Sequence, residues 1–147
     1  KYGFDALWDA QGLRYLAMET NSRGQVVSFA IHNPQNKSAV EVGTPSLPEK
    51  CVFSKREPAI FCGFPRRFTN DPLPDAWWKG EVTFNDVVAK FNYETKSFES
   101  IISGGNFDII NPLLSVDEEY LFFINKKDST LWSYWMGELP PTGETGE

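Results

Sequence analysis

Asn111-Pro112-Leu113-Leu114-Ser115-Val116-Asp117-Glu118-Glu119-Tyr120-Leu121-Phe122-Phe123-Ile124 is the stretch that decides the fold. A short apolar run ends at Ser115, an acidic tip follows, and the chain returns through five apolar or aromatic residues. Two strands joined by a tight turn read this way, because short β-branched and aromatic runs between turn residues suit a pleated, half-buried surface. Asp128-Ser129 then introduces Leu131-Trp132-Ser133-Tyr134-Trp135, a third strand.

Working outward, the same order of features occurs twice upstream. Ala6–Asp9 turns at Ala10-Gln11-Gly12 into Tyr15–Met18, followed by a strand over Gln25–Ile31, a turn at Asn33-Pro34-Gln35-Asn36, and a strand over Ser38–Val42. Cys51–Ser54 turns at Lys55–Pro58 and returns through Ala59–Cys62. A third strand covers Val87–Tyr93, and a turn at Glu94-Thr95-Lys96 leads to Phe98–Ile102. Antiparallel units repeated in this way predict an all-β fold of propeller-like blades, about three repeats with the last one incomplete. One β-sandwich with three hairpins is the alternative. The repeats span about 1–43, 44–103 and 104–137 of a domain over 1–137, and 138–147 is a Pro/Gly/Glu-rich tail with too little apolar surface to fold.

The quoted hairpin resembles the P-x-x-S-x-D-G-K-x-x-x-F hairpin of Tol-B-like, WD-type β-propeller repeats. Leu7–Leu16 resembles it more loosely, with Asp9 in place of the Ser and Gln11 in place of the Asp; the second copy keeps Phe53-Ser54 and lacks the Asp-Gly turn. The chain is also similar to uncharacterised bacterial surface or secreted proteins ending in such repeats. That resemblance implies a fold and leaves the biochemistry open. Three blades fall short of the four to eight that close a ring, so the resemblance implies an arc of a larger propeller or an open edge. An open edge invites pairing with a partner protein or a second copy.

Composition narrows the function. With 147 residues and a formal charge of -6, the chain lacks the clustered Lys and Arg that a nucleic-acid partner requires. Arg66-Arg67 and Lys126-Lys127 are short basic runs, each read as a solvated turn. No apolar run is long enough to be a transmembrane segment, and the opening residues show no apolar core of a signal peptide.

Candidate chemistry is sparse. If the second hairpin turns about Arg56-Glu57, Cys51 and Cys62 face each other, which predicts a disulfide and an exported, extracellular or cell-surface protein. Residues 64–84 interrupt the second copy with three prolines and read as a long ordered loop. Its Trp77-Trp78 pair offers an aromatic platform for a polysaccharide or peptide, or else seals the loop onto the domain. His32 is the sole histidine, in a turn with no nucleophile motif around it, so no catalytic residue is assigned and the chain is read as not an enzyme. Two cysteines and one histidine make no zinc site, and Asn70, Asp71 and Asp75 fit no calcium loop. No metal and no cofactor is expected. Asp117-Glu118-Glu119 reads as an exposed hairpin tip, Gly104-Gly105 as a turn, and Asn36-Lys37-Ser38 matches a glycosylation acceptor. Leu139-Pro140-Pro141-Thr142-Gly143 matches a sortase pattern without the apolar span and basic tail that normally follow. Along Leu131–Trp135, the Trp132/Tyr134 face and the Leu131/Ser133/Trp135 face cannot both be polar, so the strand is either covered on both faces or exposes an apolar patch to a partner, and core packing is the expected use. The function expected is a non-enzymatic protein-interaction or scaffolding module; carbohydrate or cell-wall binding, or a propeller portion of a larger surface hydrolase, is the alternative.

Overall fold

A computed structural model describes residues 2–137. Leu139–Gly143 therefore lies outside the described residues. Among those residues the chain forms three antiparallel sheets, each a simple meander. The first runs β1 (Gly3–Trp8), β2 (Tyr15–Thr20), β3 (Val26–Asn33) and β4 (Ser38–Glu41). The second runs β5 (Cys51–Phe53), β6 (Ala59–Pro65), β7 (Asp86–Asn92) and β8 (Ser97–Ile102). The third runs β9 (Ile109–Leu114), β10 (Tyr120–Asn125) and β11 (Thr130–Trp135). All-β architecture follows from the short aromatic and β-branched runs.

Three of the hairpin turns are built alike. Asn33 pairs with Ser38, Asn92 with Ser97, and Asn125 with Thr130. In each, the asparagine Oδ1 accepts the N–H two residues on. The residue before the returning strand adopts left-handed backbone, with φ of 57° at Lys37, 58° at Lys96 and 60° at Ser129. An asparagine that bonds its own backbone and a single left-handed residue together close a four-residue loop at low cost.

The second sheet lies between the other two. Leu16, Met18, Phe29 and Ile31 of the first sheet share a core with Phe53, Ile60, Phe64 and Phe91 of the second. On its opposite side the second sheet presents Val52, Val88, Ile101 and Ile102 to Ile109, Leu121 and Phe123 of the third. The edge strands β5 and β9 touch, and the 3-10 turn Pro48–Lys50 joins β1, β5 and β9. Where the sequence places residues 64–84 in a loop, β6 runs on to Pro65, pairing with Asp86, and a one-turn helix α1 (Asp75–Trp78) forms. The segment docks on the turn between β2 and β3: the Leu73 N–H donates to Gly24 O at 2.9 Å. Gly24 has φ of 75°, and a Cβ there would come within 2.5 Å of the Pro72 Cα, so this contact needs glycine.

Candidate interaction surface

The disulfide predicted from register is present. Cys51 pairs with Cys62, Val52 with Phe61 and Phe53 with Ile60, and the Cys51–Cys62 bond joins β5 to β6 within the core.

The tryptophan pair splits. Trp77 is fully buried, and its indole N–H donates to Asp108 at 2.9 Å. Trp78 is half exposed, its ring centroid 4.9 Å from that of Trp77. The two rings therefore present no joint platform, since burial of Trp77 seals the insert onto the core and leaves one ring outside.

Trp77 leads to a cluster that the sequence analysis missed. Lys50 is buried with Nζ 2.6 Å from Asp86 Oδ2 and 2.5 Å from Asp108 Oδ1, and it also donates to Ile109 O. Trp77 and Phe84 lie over the ammonium with centroids at 4.9 and 5.3 Å. The backbone N–H of Phe84 reaches Asp108 Oδ2, and that of Ile109 reaches Asp86 Oδ2. Lys126, from the β10–β11 turn, donates to Trp77 O at 2.7 Å. One ammonium faces two carboxyls, and burial pushes Asp86 above the usual carboxylate range against the pull of Lys50. Every strong donor is committed within the protein, so the cluster ties the insert to the second and third sheets. It has the character of a structural brace.

Of the remaining polar candidates, His32 lies half-buried within β3 and not in the expected turn, and the others sit at the surface or in turns. His32 stacks on Tyr15 with centroids 4.9 Å apart, and Tyr15 in turn lies 4.9 Å from Trp8. Thr69 Oγ1 bonds Asp71, an ordinary side-chain turn. Ser38 bonds Asn36 within the turn that carries the glycosylation pattern. Among the described residues no group of three or more His, Cys, Asp or Glu side chains is placed to hold a metal. The acidic tip is not wholly free: Glu118 accepts from Ser54 Oγ at 2.5 Å and from the Lys55 N–H at 3.0 Å, linking the third sheet to the second.

The surface that remains unexplained by internal packing is the third sheet's far side. Register puts Leu121 and Phe123 toward the second sheet, so Tyr120, Phe122 and Ile124 point away. Their partners Trp135, Ser133 and Leu131 on β11 share that side, as does Leu113 of β9. Leu131 is 73% exposed and Leu113 64%. All six residues of β11 are exposed, which corrects the expectation that Leu131–Trp135 packs in the core: no further layer covers it among the described residues. β11 also ends its sheet, paired only with β10. A row of aromatic and aliphatic side chains beside an unpaired strand edge is suited to sheet-on-sheet packing and strand addition. Among the described residues no helix is long and apolar enough to cross a membrane. No protein-family model, curated protein or solved structure matches the chain.

Proposed function

We propose that the three sheets are consecutive blades of a propeller-type arc, as the Tol-B-like resemblance implies, and that the chain is a non-enzymatic interaction module of an exported protein. The observation that carries this reading is the bare apolar side of the third sheet and its open edge strand β11. The partner is a polypeptide that lays a strand along β11 and an apolar surface over Leu113, Tyr120, Phe122, Leu131 and Trp135. Propeller blades pack in this way on one another, and three of them leave two ends uncovered. The Cys51–Cys62 disulfide supports an oxidising compartment.

Presented alone, such a surface pairs with its own copies. Sedimentation of the chain over rising concentration tests this. The expected result is a mass that grows with concentration in the native sequence and stays at one copy in the Leu131→Lys/Trp135→Lys variant. A native chain that sediments as one copy throughout, identical to that variant, overturns the reading.

A further inference from the structure

Asp5 and Glu49 line one groove of about 420 Å³, together with the rest of β1, the 3-10 turn, Cys51 and the Asn111-Pro112-Leu113 stretch of β9. Asp5 pairs across the sheet with Met18, a core residue, and so lies on the side of β1 turned toward the second sheet. Glu49 is the middle residue of the 3-10 turn, between buried Pro48 and Lys50. Its Oε2 is shielded from solvent and meets no hydrogen-bond donor. The Asp5 carboxyl lines the same groove and acts on the Glu49 carboxyl, while its own Oδ1 accepts the Ala6 N–H at 2.8 Å.

Two ionised carboxylates are both acceptors and cannot bond each other. The contact closes only when one proton sits between them. Of the other charges nearby, Lys50 pulls Glu49 down, the weakest of the influences on it. The Lys50 ammonium is engaged by Asp86 and Asp108. Glu19, the charged residue of β2, is opposite Phe4 and so on the other side of the first sheet from Asp5. β6 and β9, which also touch the 3-10 turn, carry no charged side chain.

We propose that Asp5 and Glu49 share one proton and form a latch between the first sheet and the 3-10 turn, closed while the proton is held and loosened when it leaves. Burial first, and the Asp5 carboxyl second, raise Glu49 from 4.5 to about 8. The sign follows directly. Unfolding releases Glu49 to its ordinary value, so the unfolded chain gives up the proton more readily than the folded one. Stability from this group is complete below about pH 4.5 and is lost as pH rises through about 8.

The test pairs denaturant unfolding from pH 5 to 9 with a carbon-13 carboxyl titration of the folded protein. Relative to Glu49→Gln, which keeps the shape and cannot ionise, the native folding constant falls by up to about tenfold per pH unit between those limits. Taking the difference between the two curves removes every other titrating group. In Asp5→Asn the amide supplies Glu49 with a donor, and its titration moves down toward the usual carboxylate range. A native-to-Gln difference that is flat with pH, or a Glu49 resonance that titrates near 4.5 in the folded native chain, overturns the latch.

Discussion

β6 and β10 are each the second strand of a meander, similar in composition and opposite in surroundings. Every residue of Ala59–Pro65 is buried, whereas Tyr120–Asn125 alternates between covered and open. β6 reads as a continuous apolar run because both of its sides meet another sheet. β10 also reads as an apolar run, Tyr-Leu-Phe-Phe-Ile, yet only Leu121 and Phe123 have been given a layer to pack on. A strand sequence made for two covered sides, standing in a sheet with one, is the contrast on which the proposed docking surface rests.

The comparison is broken most sharply at the centre of the covered side. Lys50→Met removes one ammonium from two buried carboxyls and leaves Asp86 and Asp108 facing each other without it. The expected loss is about 3–5 kcal/mol by urea denaturation, because an uncompensated buried charge is far costlier than an absent pair. Lys90 is the control. It bridges the exposed carboxylates of Glu57 and Glu99 at 3.0 and 3.1 Å, and with both partners open to water Lys90→Met costs about 0–1 kcal/mol. Equal losses at the two lysines would mean that the central cluster is hydrated and is no brace.

Phenylalanines sharpen it next. Phe91 is buried between the first and second sheets, and Phe91→Ala costs about 3–5 kcal/mol. Phe122→Ala, on the bare side, costs less than about 2 kcal/mol, since the ring leaves no enclosed cavity. The disulfide follows in size. Its cysteines lie 11 positions apart, and Cys51→Ala/Cys62→Ala costs about 2–3 kcal/mol, chiefly by freeing the unfolded chain. Dithiothreitol added to the native protein lowers the unfolding free energy by a similar amount.

How much of this was legible in the sequence depends on the distance over which each feature is decided. Strand pairing inside a hairpin is local: the alternation around Cys51–Phe53 and Ala59–Cys62 suffices to place one cysteine against the other. The turns carry a further local signal that blade-by-blade reading passed over. Asn33…Ser38, Asn92…Ser97 and Asn125…Thr130 have one spacing and one left-handed residue each, and they align the three sheets better than the hairpin at 111–123 does. Lys50 was illegible for the opposite reason. A lysine after Pro48-Glu49 reads as a solvated turn residue, and its acceptors lie 36 and 58 positions away. For Trp77-Trp78 the sequence left platform and seal both open, because nothing within the insert announces Asp108 as the partner of Trp77. The Asp5–Glu49 contact spans two elements in the same way, and its signal was an acidic residue on the inward side of a strand.

Leu131→Lys carries the smallest expected change in stability and the most information. Leu131 stands on an edge strand, 73% exposed, opposite Ile124 on the bare side. An exposed substitution that breaks no cap and creates no cavity shifts stability by within about 0.5 kcal/mol. If the surface is merely an apolar accident, nothing else changes. If it is a docking side, the lysine must lose its hydration against a packed partner while folding stays intact, so association weakens with no matching loss of stability. Denaturation and sedimentation of the same variant separate the two. A drop of several kcal/mol would instead show that Leu131 is covered within a single copy, and the contrast between β6 and β10 would no longer point outside the molecule.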